Sequence, residues 1–135
     1  MDEHSGNPVF LEPPAPFDSY DQARFVVLSI PYEKTTTYGK GTALGPAAII
    51  DASSQVEHYD DELRIEAFRA GIATAPPVIT NADGEDAAAV IERAAAGILA
   101  DGKRFIALGG EHTVSLGLIR AVLAVHPDVG VLHID

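Results

Sequence analysis

Short apolar runs, each closed by a breaker or turn, alternate along this chain with stretches whose apolar residues recur every three or four positions. Residues 24–30 (RFVVLSI), closed by Pro31, read as a buried strand; residues 69–74 (RAGIAT), ahead of Pro76 and Pro77, read as a second. Between them, residues 32–45 form a loop dense in Thr and Gly. Pro46 then stands where a first helical residue would, and residues 47–54 continue as a helix. Residues 57–63 are polar and acidic, a connection with one ordered turn. From Glu85, the positions of Ala87, Val90, Ile91, Ala94 and Ile98 mark one face of a longer helix that Gly102 stops. Residues 104–108 (RFIAL) predict a third strand, running straight into Gly109, Gly110, Glu111, His112 and Thr113. A further helix, with Leu116, Ile119 and Leu123 on its apolar side, ends before Pro127. Residues 129–134 (VGVLHI), apolar on both faces apart from His133, predict a fourth strand of the central parallel kind.

Strands alternating with helices predict an α/β fold around a mostly parallel sheet. Residues 1–23, rich in proline and acid and without steady periodicity, form an irregular N-terminal arm, and residues 24–135 belong to a single domain. The sequence stops at Asp135, on the tip of an apolar strand. Domains end more often in an exposed tail or a docked helix, so the expectation is a domain truncated at Asp135, with only its first half present.

Twenty acidic residues against nine basic ones leave a net charge of −11, which argues against nucleic acid as a partner and mildly favours a cationic ligand. The absence of cysteine excludes disulfides, thiolate metal sites and a cysteine nucleophile, so any metal must be held by histidine and carboxylates. No secretory signal and no apolar run long enough for a membrane span is visible, and a cytoplasmic protein without membrane association is expected.

Ligands gather at the carboxyl ends of the strands in an open parallel sheet. His112, just past the third strand, and Asp135, at the tip of the fourth, both occupy such positions. Gly109 and Gly110 would let the backbone turn sharply and carry the imidazole over the sheet edge. Each residue alone has a plainer reading, His112 as a cap at a helix start and Asp135 as a helix N-cap or turn carboxylate. Together on one edge they are candidate metal ligands. His133, inside a strand, reads first as a hydrogen-bonded core histidine. Glu111 either orients a neighbouring imidazole or serves as a helix N-terminal acid. The acidic run of Glu57, Asp60, Asp61 and Glu62 reads as a solvated face, and His4 and His58 receive no role. The glycine-rich stretch 39–45 fits neither nucleotide pattern: no glycine stands five positions before the Gly39-Lys40 pair, and residues 31–38 separate the glycines from the preceding strand.

Three segments resemble the arginase/ureohydrolase family, and its agmatinases in particular. Residues 29–49 (SIPYEKTTTYGKGTALGPAAI), continued by residues 55–63, resemble the family's opening signature. Gly109-Gly110-Glu111-His112-Thr113 resembles its first metal motif, and residues 131–135 the approach to its second, Asp-Ala-His-x-Asp. The likeness runs from about residue 25 to the end. It implies a three-layer α/β/α fold, two manganese ions and hydrolysis of a guanidinium group to urea and an amine; for agmatine the products are urea and putrescine. By position His112 would ligate one manganese and Asp135 would bridge both, two of the family's six ligands. The remaining ligands, and the histidine and glutamate that handle protons and substrate, would lie beyond Asp135, so the resemblance implies that the 135-residue chain alone is inactive. It further implies strands between the third and fourth, a small cationic guanidinium substrate and assembly into trimers or hexamers. Arginine, guanidinobutyrate and formimidoylglutamate are alternative substrates. A non-catalytic interaction protein built on a shortened ureohydrolase domain is the alternative of a different class.

Overall fold

The computed structural model describes residues 8–134. A parallel sheet forms from β1 (Phe25–Ile30), β4 (Ile72–Thr74) and β5 (Arg104–Gly109) in the order β4-β1-β5. The helices are α1 (Gly45–Ser53), α2 (Gly84–Ala100) and α3 (Val114–Val125), and a small antiparallel hairpin pairs β2 (Tyr59–Asp60) with β3 (Ile65–Glu66). No helix of the described residues is long and apolar enough to cross a membrane.

Alternation along β1 distributes its side chains between two cores. Val26, Leu28 and Ile30 point to one face, where Ala87, Ile91, Ala95 and Ile98 of α2 and Val114 and Ala121 of α3 cover them. Val27 points the other way, into a cluster with Phe68 and Ile72 against which Phe10, Leu11, Phe17 and Leu108 pack. With helices on one face and α1 and the preceding segment on the other, the chain has the three-layer α/β/α arrangement. Residues 8–23 hold no helix or strand. They are tied down by hydrogen bonds from Phe10 N to Thr74 Oγ1 (2.9 Å), Leu11 N to Ser53 Oγ (2.8 Å) and Ile72 N to Phe17 O (2.8 Å).

The two long helices approach closely because of Gly117. A Cβ placed there would stand 2.4 Å from the Ala88 carbonyl oxygen and 2.9 Å from Ile91 Cβ. Gly102 ends α2 one residue past Asp101 with φ +71°, the left-handed conformation expected of a C-terminal glycine.

Three segments depart from the sequence reading. The polar connection at 57–63 is part of a hairpin, and the strand expected at 69–74 shortens to Ile72–Thr74 behind a 3-10 turn, Ala67–Ala70. More consequentially, residues 129–134 form no strand. Their composition suits one, but a strand exists only against a hydrogen-bonding neighbour, and none of the three sheet strands pairs with this segment. It lies instead beside α3, where Val129, Val131 and Leu132 share a hollow of about 300 Å³ with Phe105, Leu118 and Val122. Leu132 and Ile134 remain 86% and 84% exposed.

Candidate functional site

Ile30 and Gly109 stand opposite each other at the carboxyl ends of β1 and β5, so the chain segments leaving those strands meet. Gly110 N donates to Ile30 O (3.2 Å) and Glu111 N to Tyr32 O (3.1 Å), extending the ladder past the sheet. A Cβ on Gly110 would lie 2.1 Å from Tyr32 O, and one on Gly109 would lie 2.5 Å from Val114 Cγ2. Neither glycine has positive φ. Close approach, rather than the conformational freedom expected from sequence, requires glycine at this turn.

The Glu111 carboxylate fastens the two segments together. Its Oε2 accepts from Thr35 N at 2.8 Å and its Oε1 accepts from the Thr35 hydroxyl, which lies 3.0 Å from Thr113 Oγ1. Burial pushes this carboxyl up, but hydrogen bonds from Thr35 and Thr113 and the nearby charge of Lys40 outweigh it, leaving the group below the usual carboxylate range. Glu33 braces the far end of the same loop. Its Oε2 accepts from Gly41 N (2.7 Å), Ala43 N (3.0 Å) and Thr42 Oγ1 (3.3 Å), at the entrance to a 3-10 turn, Thr42–Leu44, that leads into α1. The backbone N–H groups of Ala43 and Gly41, then Thr42 and Lys40, hold the Glu33 carboxyl below its ordinary value.

His112 is exposed at this edge, with its ring centroid 5.9 Å from that of His133 and the rings edge to face at 88°. The two line a hollow of about 600 Å³ beside α3, and on its other side His112 borders a second hollow of about 330 Å³ under the 33–42 loop. His133 is therefore no core histidine. Because residues 129–134 lie outside the sheet, its ring reaches the surface and meets His112. Asp135, the other candidate ligand, lies outside the described residues. Among those residues no group of three or more His, Asp or Glu side chains stands close enough to hold a metal ion. The donor chemistry at this edge still fits a borderline-hard dication such as manganese, because it consists of imidazole and carboxylate without sulfur.

Glu33 and Tyr38 were not singled out individually in the sequence. Glu33's partners are backbone amides eight and ten residues away, and no spacing rule marks such a contact.

The family model described as the arginase family matches residues 23–135, and the chain belongs to that family. N(1)-aminopropylagmatine ureohydrolase of a Synechocystis strain is 40% identical over 124 residues, covering 87% of this chain and 40% of that protein. In structure, the agmatine ureohydrolase of Thermoplasma volcanium superposes with a TM-score of 0.71 at 30% identity, over 78% of this chain and 37% of that one. Trypanosoma cruzi formiminoglutamase with Mn2+ shares the fold, with a TM-score of 0.71 at 23% identity over 79% of this chain and 37% of that one. The chain thus spans less than half the length of these relatives.

Proposed function

We propose that the whole protein hydrolyses a small guanidinium compound to urea and an amine, with agmatine, giving putrescine, as the substrate. The observation carrying this reading is the exposed imidazole of His112 on the Gly-Gly-Glu-His-Thr turn, at the carboxyl edge of a parallel sheet in an arginase-family chain. His112 and Asp135 are the ligands this chain would contribute to a manganese pair. When bound, such a pair supplies Lewis acidity that makes water available as a nucleophile near neutral pH. The chain's own groups prepare the place. Glu111 and Thr35 fix the turn that carries His112, and Gly110 lets it sit against the β1 exit. Addition of water to the guanidinium carbon, cleavage of its bond to the substituted nitrogen and transfer of a proton to that nitrogen yield urea and the free amine.

A second substrate is favoured by one observation: the 40% identical relative is named for aminopropylagmatine. Manganese finds support in the Mn2+ named with the formiminoglutamase. Family resemblance supports action in the cytoplasm as a homotrimer or homohexamer.

The full-length protein, loaded with manganese, is expected to release urea from agmatine or aminopropylagmatine and to lose that activity on chelation. His112→Ala should weaken manganese binding in a calorimetric titration. Absence of urea across a panel of guanidinium compounds would sink the reading. The 135-residue chain alone, with two of the six family ligands, is expected to release none.

A further inference from the structure

Tyr38 is 99% exposed, the most exposed of the large hydrophobic side chains, yet it stands on a loop that is pinned at both ends. Toward β1, the bonds of Thr35 to Glu111 hold the loop to the turn carrying His112. Toward α1, Glu33 gathers the amides of Gly41 and Ala43. Within the loop, Lys40 Nζ donates to Glu33 O (3.1 Å) and Thr36 Oγ1 (3.2 Å). A fixed backbone that presents a large aromatic ring to water gains nothing for folding from that ring, since the ring buries no surface.

The ring does border something. Tyr38, Thr36, Thr37 and Thr42 form one wall of the hollow of about 330 Å³ whose opposite wall is Gly110, Glu111 and His112. That volume lies in the range of small-molecule sites. Among the described residues no lysine or arginine lines it. Both lysines of the loop are engaged by the protein itself, Lys40 with Glu33 O and with Oγ1 of the lining Thr36, and Lys34 with Asn81 O and with Asp83, the latter at 3.0 Å. The lining therefore offers hydroxyls, one carboxylate and one aromatic face, a set complementary to an organic cation.

We propose that the 33–42 loop is a preformed wall of the substrate cleft and that Tyr38 is its specificity residue, receiving the cationic amine end of the substrate while the guanidinium end lies toward His112. The assignment rests on the guanidinium hydrolase reading of the same site. The tyrosine ring attracts an ammonium or a guanidinium through its face, and the threonine hydroxyls accept hydrogen bonds from the amine. Tyr38 acts on binding and takes no part in bond cleavage.

The test compares Tyr38→Ala and Tyr38→Phe in the full-length protein. Tyr38→Ala is expected to raise the KM for agmatine about fivefold with kcat little changed, the range of a partly exposed cation–π contact. Tyr38→Phe, which keeps the ring, should restore KM. In the 135-residue chain the Tm of both variants should match the parent, because the side chain buries nothing there. An unchanged KM in Tyr38→Ala, or a fall in kcat without a change in KM, would overturn the assignment. Calorimetric titration with agmatine and with putrescine separates it from the activity itself. If the parent releases no urea but binds agmatine and Tyr38→Ala binds it several-fold more weakly, the hydrolase reading fails and the recognition role stands. If parent and variant bind both compounds alike, or neither binds them, the recognition role fails whatever the hydrolysis assay shows.

Discussion

Tyr32 follows β1 by two residues and is 2% exposed, its ring set in the core between β1 and the α2–α3 pair. Its hydroxyl is buried and finds no hydrogen-bond partner among the described residues. A buried hydroxyl without a partner costs about 1–3 kcal/mol of lost hydration, so removing it should help. Tyr32→Phe is expected to raise stability by up to about 1 kcal/mol in denaturant unfolding, and a clear loss would show that the hydroxyl has a partner. Glu33 makes the opposite case. Its carboxyl is held below the ordinary value of 4.5, so the unfolded chain takes up a proton first as pH falls. Its contribution to stability is therefore complete above about pH 5, declines as pH drops through 4.5 and disappears below the lowered folded value. Glu33→Gln should flatten that part of the stability–pH profile; an unchanged profile would remove Glu33 from the loop's support. At this scale the sequence was partly legible. His112 lies at the edge that a glycine pair following a strand implied, whereas the Glu111–Thr35 bond joins residues far apart in sequence and could not be anticipated.

The elements that announced themselves are those whose pattern is complete within the segment. α2 shows its apolar face at 3.6-residue spacing and begins within a residue of its predicted start, and β1 is a continuous apolar run flanked by a proline. Close packing between elements left less trace. Gly117 sits in the apolar helix α3 as an apparent weak point, yet a Cβ there would meet the backbone of α2 at 2.4 Å. Gly117→Ala should cost about 1–3 kcal/mol despite the better helix propensity of alanine, because the displaced atoms are backbone. Stability equal to or above the parent would mean that α2 and α3 can separate freely. Residues 129–134 show the converse limit. Strand composition is a property of the segment, but strand formation belongs to a pair. Hydrogen exchange should be fast at these residues and slow across β1 in the 135-residue chain; firm protection at 129–134 would contradict the structure.

Across the whole molecule, apolar surface remains on the β5 side. Ile106 of β5 is 46% exposed, and beside α3 Val131, Leu132 and Ile134 are exposed as well. Exposed apolar side chains close together in the chain, as at Val131, Leu132 and Ile134, promote association. The 135-residue chain is expected to self-associate at micromolar concentration in sedimentation velocity, and Leu132→Ser with Ile134→Ser should reduce it. Identical sedimentation of the two would sink that expectation. The α/β class with a parallel sheet was legible from the alternation of elements and the three layers from the family resemblance, but the strand order was not, because both neighbours of β1 come later in the chain and no local pattern says which side each will take.

That order has a consequence in time. During synthesis the first strand to leave the ribosome is the one that must end in the middle, flanked by β4 and then by β5, whose first residue follows Phe25 by about eighty positions. At roughly 5–20 residues per second, the apolar segment from Val26 to Ile30 waits several seconds for its second neighbour. During that interval it is a natural client for chaperones, and translation pauses before Gly109 would lengthen its exposure.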